Sequence, residues 1–220
     1  LWVSTVGEGI VKIILNKNGI TPTVKSATRI ILDGGRLASN YFFTSFQEND
    51  SILWFGNRGY GAHRLNLETG KFTPYKFDNI VNSQMTNDIF AIYKNENGYW
   101  FATSSGLLHF NQEDSQHHNK VELLSKNTAH GILEDQQNNI WISTNQGLVR
   151  FNPKTHTSQT YDRKNGLEVT EFSDGAFYKD IPTETLFFGG TNGFVAIKPN
   201  DYNMATYMPQ ISMKRLSIFG

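Results

Sequence analysis

Hydrophobic residues along this chain fall into short runs broken by Gly, Asn, Asp and Ser, with almost no helical spacing. Short apolar runs bounded by turn residues predict β-strands. The clearest case is Asn97–Phe110, NGYWFATSSGLLHF. It reads as one hairpin: a polar turn, the strand Tyr99-Trp100-Phe101-Ala102-Thr103, a turn at Ser104-Ser105-Gly106, and a second strand from Leu107 to Phe110. The pattern recurs at Asn138–Phe151 (NNIWISTNQGLVRF), Ser51–Leu65 (SILWFGNRGYGAHRL), Thr185–Pro199 (TLFFGGTNGFVAIKP) and Leu1–Ile13 (LWVSTVGEGIVKI).

The five copies align on an aromatic residue: Trp2, Trp54, Trp100, Trp141 and Phe188. Two positions later stands a small residue, Ser4, Gly56, Ala102, Ser143 or Gly190. Alternation places the two on one face of a strand. A ring beside a small side chain lets packed sheets interdigitate. A turn rich in glycine follows, at Gly7 and Gly9, Gly59 and Gly61, Gly106, Gly147 and Gly193. Glycine closes tight hairpins because it reaches positive φ without a Cβ clash. Three of the second strands end in Asn, at Asn66, Asn111 and Asn152.

A period of roughly 40–50 residues with several strands per unit predicts an all-β propeller of four-stranded antiparallel blades. The units fall near 1–39, 40–80, 84–126, 128–164 and 171–200. Within each, the expected order is inner, aromatic, third and outer strand. The first unit lacks its inner strand, so the expectation is about five blades belonging to a larger ring. Inner strands are expected at Asn40–Gln47, Asp88–Tyr93, Ala129–Glu134 and Glu171–Tyr178, and outer strands at Thr21–Ile31, Lys71–Phe77 and Thr157–Tyr161. Up-and-down blades put the inner strands against a central channel. One face then carries both the turns after the aromatic strands and the entries to the inner strands.

Composition narrows the function. The 220 residues carry a formal net charge of zero, so no basic field marks a nucleic-acid partner. There is no cysteine, which leaves the redox compartment weakly constrained. No apolar run reaches the roughly 18–20 residues needed to span a bilayer, so no membrane contact by this segment is expected. The chain opens inside a strand and without Met, which predicts a fragment whose targeting signals and membrane segment lie outside it.

The units resemble the two-component regulator propeller repeat. Glu134-Asp135, Asn139-Ile140-Trp141-Ile142-Ser143-Thr144 and Gly147-Leu148 with Phe151 carry the resemblance, as do Gly98-Tyr99-Trp100-Phe101-Ala102-Thr103 with Gly106-Leu107. Glu171-Phe172-Ser173, Gly175-Ala176, Phe188-Gly189-Gly190 and Asn192-Gly193-Phe194 are similar to the last blade of such propellers. The resemblance implies the C-terminal part of a periplasmic sensor region in an inner-membrane hybrid histidine kinase or diguanylate cyclase receptor. Several members sense carbohydrate. It also implies that Pro209–Gly220 starts a following immunoglobulin-like domain, or is a closing strand.

Candidate chemistry is sparse. His117-His118 are adjacent, so on a strand they point to opposite faces and do not chelate one ion. No metal and no cofactor is expected. Asp88, Glu171 and Asp174 stand at or near inner-strand starts, where propeller glycosidases place paired carboxylates, but such residues also satisfy loop amides. The expectation is no enzyme. Candidate ligand-binding residues are Glu8, Arg58, Tyr60, Asn145, Gln146 and Asn192 in the short turns, with Asn127, His130 and Glu171 near inner-strand entries. Amide, guanidinium and aromatic groups at a ring mouth suit sugar hydroxyls. The expected partner is a small molecule or oligosaccharide, with a homodimer possible. A carbohydrate-active enzyme and a passive dimerisation scaffold are the alternatives.

Overall fold

A computed structural model describes residues 1–16, 21–32, 39–77, 87–111, 121–123, 127–169 and 171–201. The expectations for His117-His118 and for Pro209–Gly220 lie outside the described residues. Among the described residues eighteen strands form five antiparallel sheets, each following chain order. The first sheet holds β1 (Trp2–Ser4), β2 (Ile10–Asn16) and β3 (Thr23–Ile30). The second holds β4 (Phe42–Asn49), β5 (Ile52–Asn57), β6 (Ala62–Asn66) and β7 (Phe72–Tyr75). The third holds β8 (Ile89–Asn95), β9 (Gly98–Thr103), β10 (Gly106–Phe110) and β11 (Val121–Leu123). The fourth holds β12 (Ala129–Glu134), β13 (Ile140–Thr144), β14 (Gly147–Asn152) and β15 (Thr157–Tyr161). The fifth holds β16 (Phe172–Asp180), β17 (Thr185–Gly190) and β18 (Gly193–Ile197).

These sheets are propeller blades. β4 lies against β8, β8 against β12 and β12 against β16, so the inner strands gather about one axis, and the blades form an arc that does not close into a ring. The second strands β5 and β13 are buried along their whole length, because a central strand of a stacked blade has a neighbouring sheet on both faces. The core is divided into four clusters, one per blade interface. Trp54 packs forward with Ile89 and Phe101 of the third blade. Trp100 packs forward with Ile132, Ile140 and Phe151 of the fourth, and Trp141 with Leu186 and Phe188 of the fifth. Trp2 lies 6.1 Å from Phe55 in the same forward sense, but is only half-buried.

The small residue two positions after each tryptophan marks a close approach. A Cβ on Gly56 would stand 2.6 Å from the carbonyl oxygen of Ile89, on the next blade's inner strand. Gly147, in the turn after β13, combines φ +123° with a would-be Cβ only 2.1 Å from the Tyr161 carbonyl, so conformation and space both demand glycine. Asn66 and Asn152 close the turn into the outer strand. The Asn66 side-chain Oδ1 accepts from the backbone amides of Glu68 and Thr69, and the Asn152 Oδ1 from those of Lys154 and Thr155, the self-turning habit of asparagine.

One expected alignment is corrected. In β9, Trp100 stands opposite His109, three residues before the turn pair Thr103 and Gly106. In β17 the matching turn pair is Gly190 and Gly193, and the residue three before it is Phe187, opposite Ala196. Phe187, not Phe188, is therefore the counterpart of the tryptophans. Phe188 faces backward, fully buried against the fourth blade. A one-residue slip turns a side chain to the other face. The run of two phenylalanines and two glycines hides the slip from composition, and its trace in the sequence is the spacing to the turn glycine, which Phe187 and Gly193 share with Trp100 and Gly106 and with Trp141 and Gly147.

Candidate functional site

The turns after the second strands and the entries to the inner strands meet at one end of the arc. The amides of Gly7 and Gly9 donate to the Asn40 carbonyl, Arg58 N to Tyr41 O, Asn145 N to Thr128 O, and Thr191 N to Glu171 O, all within 3.2 Å. This end is the channel mouth.

Each inner strand is irregular at the same place. Phe42 pairs with Asn57 and Thr44 with Gly56, leaving Phe43 extra. Ile89 pairs with Thr103 and Ala91 with Ala102, leaving Phe90. Ala129 pairs with Thr144 and Gly131 with Ser143, leaving His130. In β16 the irregularity widens: Phe172 pairs with Gly190 and Phe177 with Phe188, so Ser173–Ala176 stand out of register. A β-bulge re-aims the side chain it carries. Here the re-aimed groups form a continuous arc. Phe43 and Phe90 have ring centroids 5.0 Å apart, Phe90 and His130 stack at 6.1 Å and 28°, and His130 Nδ1 lies 2.7 Å from Asp174 Oδ1. Three half-buried rings thus lead around the axis to an exposed carboxylate.

The other sequence-derived candidates surround this arc, several of them engaged with neighbours. Arg58 holds its guanidinium 5.7 Å over the Tyr41 ring, and Lys76 lies 4.7 Å over Tyr60. Glu8 is 2.6 Å from Arg29 within the first blade. Gln146 accepts from Asn127 Nδ2 at 3.1 Å, and Glu171 from the Thr191 hydroxyl at 3.3 Å. Asp88 accepts from Ser104 Oγ at 3.1 Å. Of the candidate ligand-binding residues only His130 belongs to the bulge arc, and of the three carboxylates only Asp174. Phe43 and Phe90 read in the sequence as ordinary core residues. Their signal is the shared triplet of apolar, large and small residues, Phe42-Phe43-Thr44, Ile89-Phe90-Ala91 and Ala129-His130-Gly131. Asn192 instead borders a cleft of about 390 Å³ between the fourth and fifth blades, walled by Tyr161, Leu167, Glu168 and Phe194. Among the described residues no group of three or more His, Asp or Glu side chains is arranged to hold a metal ion, and no helix is long and apolar enough to cross a membrane.

The opposite end of the blades is structural. Each buried indole N–H finds an acceptor at the first hairpin of its own blade: Trp54 on Glu48 at 2.7 Å, Trp100 on Asn95 at 3.1 Å, and Trp141 on Asp135 at 2.8 Å. The same acceptors reach the following blade. Glu48 accepts from Tyr99 and Lys94, while Asn95 donates to Glu134, which also accepts from Tyr93. Burial raises the Glu48 carboxyl, but hydrogen bonds from Lys94, Trp54 and Tyr99 outweigh it and hold the group below the usual carboxylate range. Burial, and then the partner carboxylates Glu134 and Glu48, push the Tyr93 and Tyr99 phenols well above their ordinary value.

Residues 123–146, spanning the entry to β12 through the turn after β13, match the two component regulator propeller family. Histidine kinase P4 of Formosa agariphila is 27% identical over 231 residues, covering 80% of this chain and 16% of that protein. Two extracellular domains from B. thetaiotaomicron, described as belonging to hybrid two component systems, share the fold. That of BT4673 superposes with a TM-score of 0.70 at 17% identity, over 91% of this chain and 28% of that one. That of BT3049 gives 0.66 at 18% identity, over 91% and 26%. The chain therefore spans about a quarter of these domains and a smaller share of the kinase. The chain is thus a stretch of β-propeller whose residues 123–146 match the two component regulator propeller family.

Proposed function

We propose that this stretch of propeller is the ligand-sensing part of a bacterial transmembrane signalling receptor, of the hybrid histidine kinase or diguanylate cyclase type, and that it lies in the periplasm as part of an inner-membrane protein. The observation that carries the reading is the bulge arc at the mouth. Four successive inner strands present side chains to one channel in a fold shared with extracellular domains of hybrid two component systems. The ligand is a carbohydrate: aromatic faces beside hydrogen-bonding amides and carboxylates meet both sides of a sugar. The site binds and does not catalyse. In support, Asp88, Glu171 and Asp174 are each engaged by a different neighbour, Ser104, Thr191 and His130, and do not form one acid–base pair.

Signalling requires that the ligand bind two receptor states unequally. The test is made in the intact receptor. Adding oligosaccharide pools is expected to change the output, and removing the propeller is expected to abolish that response. Output indifferent to both would overturn the sensor reading. Turnover of any oligosaccharide that disappears in Asp88→Asn or Glu171→Gln would replace it with an enzyme.

A further inference from the structure

The bulge arc has a chemistry more specific than a general sugar surface. Resting on the carbohydrate reading above, we propose that Phe43, Phe90, His130 and Asp174 are the sugar-contacting surface of the mouth, and that they select neutral or amino sugars over acidic ones.

The three rings set the chemistry of the surface. Phenylalanine offers no hydrogen bond, so Phe43 and Phe90 can engage only an apolar face, which in a pyranose is its array of C–H groups. A bulge at the same register in each strand sets the two rings side by side and continues them into His130. Packing alone does not require this. The residues flanking the bulges, Phe42, Ile89, Ala91 and Ala129, already fill the blade interfaces.

Polarity enters at the end of the row. Asp174, with a side chain 40% exposed, uses Oδ1 on His130. A carboxylate only accepts, so its exposed edge favours a hydroxyl or ammonium donor. Asp88 and Glu171 add two more acceptors beside neighbouring strand entries. Among the described residues, three cations are held toward the first two blades, with Arg29 on Glu8, Arg58 over Tyr41 and Lys76 over Tyr60. A uronate docked along the rings would meet carboxylates with no matching Lys or Arg among the described residues beside them, and an uncompensated like charge is a means of rejecting a ligand.

Calorimetric titration of the 220-residue chain with three matched-length probes tests this: neutral glucan and mannan oligosaccharides, chitosan oligosaccharides, and oligogalacturonate. Neutral or amino probes are expected to bind, with oligogalacturonate about tenfold weaker or silent. Phe90→Ala should weaken the neutral probe about tenfold. Asp174→Asn should narrow the gap between neutral and acidic probes. Circular dichroism on each variant separates lost binding from lost folding, and Phe43→Ala provides a second rung should Phe90→Ala not fold. Oligogalacturonate binding as tightly as the neutral probes overturns the selectivity. Binding unchanged in both folded phenylalanine variants overturns the arc while leaving a carbohydrate sensor standing. Silence from all three probes overturns the arc and the carbohydrate reading together.

Discussion

The indole N–H of each blade tryptophan explains why an acidic or amide residue closes the strand before it. A buried indole needs an acceptor, and Glu48, Asn95 and Asp135 occupy equivalent places in successive blades to supply one. Asp135 carries the largest share. Its side chain is fully buried and accepts from Trp141, from the amides of Gln137 and Asn139, and from the Asn139 side chain, with Arg150 at 3.6 Å. Asp135→Ala is expected to lower unfolding stability by about 3–5 kcal/mol, because several donors lose a buried partner. Asp180 stands in the same place in the fifth blade, where Phe187 has no N–H to satisfy, and it accepts instead from the exposed Thr183. Asp180→Ala should cost about 1 kcal/mol. Urea midpoints of the two variants check the contrast, and equal losses would show that the indole is not the reason. Glu48 adds a pH dependence. Its folded pKa lies below its value in the unfolded chain, so its contribution is complete above about pH 4.5 and is lost as the pH falls through the folded value. Glu48→Gln should flatten that acid limb of the stability curve; a slope identical to wild type would contradict it.

At the level of the element, the inner strand is the unit that carries function and the second strand the unit that carries stability. β5 and β13 are buried throughout, so their small residues set how closely the next blade approaches. Gly56→Val is expected to destabilise by about 1–3 kcal/mol, since the new side chain would meet the Ile89 backbone on the neighbouring blade. A thermal melt at or above the wild-type temperature would show that β8 can move aside. The inner strands are held less strictly at their entries, where the bulges free one residue per strand from the ladder.

Across the whole molecule, stability is built interface by interface. Among the described residues four clusters join five blades, the fully buried members of each coming from two adjacent blades, an arrangement close to a one-dimensional array. The second, third and fourth blades have packed sheets on both faces. In contrast, β3 is exposed along almost all of its length. Hydrogen exchange should therefore be slowest for amides of β5, β9 and β13 and fastest, among the strands, for β3. Uniform exchange across the five sheets would mean that the arc opens only as a unit. The forward face of the fifth sheet carries Tyr178 and Phe194, at 64% and 67% exposure, in keeping with an arc that does not close.

The sequence by itself determined the blades. Apolar runs, turn glycines and the asparagines after third strands are local signals, and a strand buried on both faces announces itself by its composition. Ala129–Glu134 and Thr157–Tyr161 are strands at the expected residues. The mouth was legible only as a place, since strand entries and short turns share one end of any up-and-down blade. Tertiary structure decided the rest. Phe187 replaced Phe188 as the forward-facing ring because strand pairing, not composition, fixes which face a side chain takes. Phe43, Phe90 and His130 became one surface because a bulge is a relation between two strands, invisible in either alone. Asp174 found His130 at 44 residues' distance in the chain, since only the stacking of blades about an axis brings the entries of β12 and β16 together.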